Sequence, residues 1–164
     1  MPKHQLPAAA RAISAATTDA VTAAQAQDAA AFDEAADRLA AAEPEQVRVV
    51  LGVVVRALLE DLHPDGVSGD DLLELIKSCV RTSFGWYPGV DVQVLIVVLT
   101  GALGIHEPDA EPRKVTALDV ARHAPLFITE LLAAADPDLP PRPLTGYLTT
   151  AFLEISQAEL NEMP

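Results

Sequence analysis

The chain has 164 residues, 24 acidic side chains against 11 basic ones, and a formal charge of −13. Half of it is hydrophobic and only 4% aromatic, which is too apolar for a disordered chain, and the length suits one domain. So acidic a chain, with no basic cluster to relieve it, excludes nucleic acid and anionic membrane as expected partners.

Residues 1–43 are alanine-rich, from Ala8-Ala9-Ala10 to Ala40-Ala41-Ala42, with Leu6, Ile13, Val21, Phe32 and Leu39 as sparse larger anchors. Alanine favours helix but buries little area per residue. The segment is therefore expected as one or two helices, mobile near its start and firmer around Phe32 and Leu39. Ala24-Gln25-Ala26 has the small-residue look of a cleavage site, but Arg11, Thr17, Thr18 and Asp19 interrupt any apolar run before it, so no secretory leader is expected.

Glu43-Pro44-Glu45 reads as a helix start, because proline suits the first turn and acidic groups its positive end. The helix is predicted to run to about residue 62. Its polar positions, Arg48, Gly52, Arg56 and Glu60, recur every four residues in an otherwise apolar sequence. So narrow a stripe predicts a helix covered on most sides, with Gly52 admitting a close neighbour. His63-Pro64-Asp65-Gly66 then reads as a turn, and Ser68-Gly69-Asp70-Asp71 as a capping box opening a helix that ends near Phe84-Gly85.

Trp86-Tyr87-Pro88-Gly89 forms an aromatic turn ahead of the most apolar stretch, which is uncharged from Val94 to Ile105. Alternation at Val90, Val92 and Val94 has strand character, yet the length and helical neighbours favour a buried helix over 89–105. That run is too short to cross a bilayer of about 30 Å. Thr116-Ala117-Leu118-Asp119 is a second capping box, starting a helix to about residue 135 that Pro125 is expected to kink or restart. A proline-rich linker at 136–143 precedes a last helix over about 144–160. The sum is an all-α fold: a compact bundle of five to seven helices in one domain, with an N-terminal segment 1–43 and a core 44–164.

Chemistry is sparse. Cys79 is the single cysteine, so no intramolecular disulfide and no multi-cysteine zinc site is expected, in keeping with a reducing cytoplasm. Asp61-Leu62-His63-Pro64-Asp65-Gly66 places acids at positions one and five, and glycine at six, of a calcium-type loop. The pattern then breaks at His63, Ser68 and Leu72, with Glu74 too late to replace the closing glutamate, leaving a helix-ending turn as the plainer reading. His63 with Glu60, Asp61 and Asp65, and His106 with Glu107, Asp109 and Glu111, are the two candidate metal patches. No cofactor motif is present: the glycines match neither dinucleotide nor phosphate-loop spacing. Cys79 or Ser83 with His123 is the only nucleophile–base pairing to consider, and no local signature surrounds it, so no enzyme is indicated.

Phe84, Trp86 and Tyr87 are the candidate partner-binding residues, since aromatics exposed at a turn bury much area at low entropic cost. The competing reading has Trp86 closing the end of the bundle. The apolar helices at 46–62 and 89–105 ask for more cover than alanine-faced neighbours supply, so a protein partner or a second copy is expected, and the acidic charge would steer a basic partner. These features predict a non-catalytic interaction module. An antitoxin-like or immunity-like inhibitor and a secretion chaperone fit equally, and a helical small-ligand or divalent-metal binder is the alternative. Three lysines against eight arginines, with abundant alanine, point to a GC-rich bacterial gene.

Overall fold

The structure, a computed structural model, describes residues 7–105, 115–134 and 143–162. Within them lie seven helices and no strand: α1 Ala8–Gln25, α2 Ala29–Ala41, α3 Pro44–Leu62, α4 Gly69–Phe84, α5 Val92–Ala102, α6 Ala117–Ala133 and α7 Leu144–Glu162. None of these helices is long and apolar enough to cross a membrane. The segment carrying His106 and residues 136–142 of the expected linker lie outside the described residues.

Local chemistry sets the helix starts. The Glu43 carboxylate accepts from the backbone N–H of Glu45 and Gln46 and caps α3, with Pro44 at its first turn. Ser68 with Asp71, and Thr116 with Asp119, form reciprocal capping boxes at α4 and α6. At α5 the Asp91 side chain accepts from Gln93 N–H, and this cap turns the alternating valines into helix rather than strand. The same helix stops short of the expected residue 105. Gly104 takes φ 68°, a left-handed conformation that ends α5, while Ile105 N–H returns to the Thr100 carbonyl.

The alanine-rich start is not loosely packed where it is described. Ala10, Ile13, Ala16, Ala20 and Ala24 line one buried stripe of α1, which meets Phe32, Ala35, Ala36 and Leu39 of α2. Small side chains let the two helices come close, and the hairpin lies on α6. The place in the middle of the fold goes to α6, which touches α1 through α5 and buries six residues in succession, from His123 to Ile128. Pro125 sits within that run, yet α6 continues through it without restarting. By contrast α5, the most apolar helix, buries only Val94, Leu95 and Leu99 and leaves Val92 and Ile96 exposed. The expected cover is found on α3, which packs against α2, α5, α6 and α7 and leaves only Val49 of its valines exposed, and is not found on the outer face of α5.

Candidate binding groove between α3 and α5

The aromatic turn packs inward. Tyr87 is only 6% exposed, and its ring meets Phe32 edge-on at 4.9 Å between centroids. Trp86 is half-buried over the same ring at 5.4 Å. The Tyr87 hydroxyl donates to Asp33 at 2.8 Å, and burial together with that carboxylate raises the phenol's pKa. Of the three candidate anchors, only Phe84, at 64% exposure, faces solvent. The turn closes one end of the bundle against α2, and the three aromatics do not form a common outer surface.

The loop after α3 likewise divides. Asp61 accepts a hydrogen bond from the Tyr147 hydroxyl at 2.6 Å, which draws it towards α7. His63 instead lies 3.6 Å from Asp71, whose carboxyl is held below its usual range by hydrogen bonds from Ser68. Asp65 is exposed on the turn. Among the described residues no three His, Cys, Asp or Glu side chains gather as a cation site.

The imagined nucleophile–base pairing does not come together either. Both ring nitrogens of His123 are committed to backbone: Nε2 accepts from Asp91 N–H, and Nδ1 faces the Asp119 carbonyl. Burial pushes the Cys79 thiol up to about 12, so it holds its proton at neutral pH. Glu130 accepts from the hydroxyls of Ser78 and Thr82 across the α4–α6 contact, a structural tie between helices.

Sequence reasoning missed a groove of about 530 Å³ between α3, α5 and α6. Its sides are Val49, Val53 and Gly52 from α3, Val97, Val98 and Gly101 from α5, and Val120 and Ala124 from α6. Among the described residues two charged side chains line it, Arg48 and Arg56, and no carboxylate does. The arginines lie eight residues apart on α3, a separation of about 12 Å along the axis. Each has acidic company at the rim: Arg48 pairs with Glu45, and Arg56 approaches Glu60 at 3.9 Å and Glu154 of α7 at 3.6 Å.

No family model matches the chain, and comparison with characterised proteins and with solved structures finds no match.

A signal for the groove was present in the sequence. The stripe of Arg48, Gly52 and Arg56, spaced by four, is the edge of α3 that borders the groove. Its narrowness was read as cover on the remaining sides. In the fold, the valines next to it are not fully covered: Val49 is exposed and Val53 half-buried.

Proposed function

We propose that this is a non-catalytic protein-interaction module that docks an apolar segment of its partner in the α3–α5 groove. The observation that carries this reading is the groove itself. It is an apolar furrow with Val49 exposed on one side and Gly101 on the other. Contiguous exposed aliphatic surface of this kind is what partners cover. The charge of −13 repels anionic surfaces over most of the molecule, and the groove, where Arg48 and Arg56 stand, is the place where that repulsion is relieved. A single buried cysteine supports placing the module in a reducing, cytoplasmic compartment of a bacterial cell.

The test is affinity capture from native lysate with wild type, Val49→Glu and Gly101→Glu, using Gln25→Glu as an exposed control. Both groove variants keep their melting temperature and lose the partner, while the control retains it. Equal capture by all four chains refutes the groove as the docking site. The volume also falls within the range of small-ligand sites, about 300–1,000 Å³, which favours a second reading as a carrier of an elongated apolar ligand. Displacement of a bound apolar dye, abolished by Val49→Glu, distinguishes that case.

A further inference from the structure

The free end of α7 supplies a shape to set beside the groove. The helix packs on α3 and α1 through Tyr147, Leu148, Ala151 and Phe152. From Ser156 to Asn161 every residue is exposed, so the last turns of α7 have no cover among the described residues. Leu153 and Leu160 are 58% and 67% exposed. They stand one heptad apart, on nearly the same line of the helix and about 10 Å from each other. Glu154 and Glu159 lie on opposite flanks of that line, and Glu159 makes no ion pair with any described residue. An apolar ridge with acidic flanks on α7 thus matches, in length and in charge, an apolar groove with arginines on its wall.

The two halves are also neighbours. Glu154 of α7 reaches Arg56 of the groove wall at 3.6 Å, and Tyr147 reaches Asp61, so α7 runs antiparallel to α3 and its free end continues from the groove's edge towards the N-terminal end of α3. A two-fold interface needs ridge and furrow within one self-complementary patch. Electrostatics favours the same place. A chain of charge −13 repels its own copy over most of its surface, but α5 carries no charge and the groove wall carries two arginines.

We infer that a second copy of this chain covers the α3–α5 groove, the free end of its α7 laying Leu153 and Leu160 into the furrow with Glu159 opposite Arg48, and that the exchange is reciprocal. This rests on the reading of the groove as a protein-docking site and names the occupant.

Sedimentation of the purified chain up to about 100 µM gives a dimer, and Leu153→Glu or Leu160→Glu weakens it by at least about tenfold. Both substitutions fall on exposed positions, so helical content by circular dichroism stays unchanged. Arg48→Glu and Glu159→Arg each weaken the dimer, and combining them restores it. A photo-crosslinking residue at position 49 gives a covalent product of doubled mass joined to residues 153–162. A monomer at all concentrations, a dimer indifferent to Leu160→Glu, or no rescue by the charge exchange overturns the inference. Crosslinking from position 49 to a different protein overturns the second copy while leaving the docking site standing. Loss of that docking site shows separately, as unaltered capture by Val49→Glu.

Discussion

The imidazole of His123 ties α6 to the cap of α5. Its Nε2 accepts the backbone N–H of Asp91 at 2.9 Å, and its Nδ1 lies 2.7 Å from the carbonyl oxygen of Asp119. An accepting Nε2 leaves the proton on Nδ1, where it donates to that carbonyl, so the ring is neutral with both nitrogens engaged. Asp91 is the residue whose carboxylate caps α5. One buried histidine thereby sets where α5, and with it one wall of the groove, begins relative to α6.

Acid should loosen this tie. Burial is the largest influence on His123 and holds its pKa below the ordinary 6.5, outweighing the Asp119 carbonyl and the carboxylates of Asp119 and Asp91. The unfolded chain takes up the proton first as the pH falls. Stability is therefore whole above about pH 6.5 and is lost below it, on the way down to the folded-state value. Melting temperature followed from about pH 7.5 to about pH 5 should drop more steeply for wild type than for His123→Leu, which has no proton to gain. At neutral pH that variant should itself cost about 1–3 kcal/mol, because the Asp91 N–H loses a buried acceptor. Parallel curves would place the acid sensitivity in other groups.

What was legible in the sequence was mostly local. Glu43-Pro44, Ser68 to Asp71 and Thr116 to Asp119 announce helix starts within three or four residues, and each start is where the capping chemistry puts it. The direction of the aromatic turn was not legible. It is decided by Phe32, and by Asp33, which lies 54 positions before Tyr87, a relation no window of sequence contains. The exposure of α5 was hidden for a similar reason. Hydropathy shows that Val92 and Ile96 prefer cover, and the fold alone decides whether a neighbour reaches them. The tie made by His123 was not legible either, because its partner is a backbone N–H at the cap of a different helix, which leaves no trace in side-chain identity.

Gly52 offers a measure of how tightly α3 and α5 approach. A Cβ built there would stand 3.6 Å from the Cα of Ala102 and 3.8 Å from its Cβ, an ordinary contact. Gly52→Ala should therefore fit and gain up to about 1 kcal/mol, since glycine is a poor residue inside a helix. Gly52→Leu has no such room and should cost about 1–3 kcal/mol by pushing α5 away. Urea midpoints of the two variants, moving in opposite directions from wild type, are the expected result. A destabilised Gly52→Ala would mean that the helices approach more closely than this.

Cys79 reports on α4. The thiol is fully buried beside Ser83, and burial raises its pKa to about 12. Reaction with a thiol reagent needs both access and the thiolate, so the native chain should label far more slowly than the unfolded one. The labelling rate should rise with urea in step with global unfolding. Fast labelling in native buffer would show instead that α4, which buries little beyond Leu75, Cys79 and Ser83, opens on its own.

The aromatic turn can be split by substitution into its structural and its exposed parts. Phe32 is fully buried and packs edge-on with the rings of both Trp86 and Tyr87, so Phe32→Ala should cost about 3–5 kcal/mol. Tyr87→Phe keeps the ring and removes only the donor to Asp33, for about 1 kcal/mol. Phe84→Ala, at the exposed end of α4, should stay within about 0.5 kcal/mol of wild type. Trp86 fluorescence supplies a readout independent of the melt. Acrylamide should quench it only weakly in wild type and in Phe84→Ala, and more strongly in Phe32→Ala, where the ring loses the surface that shelters it. Equal quenching in all three would detach Trp86 from Phe32 and return the turn to the outer surface as a partner anchor.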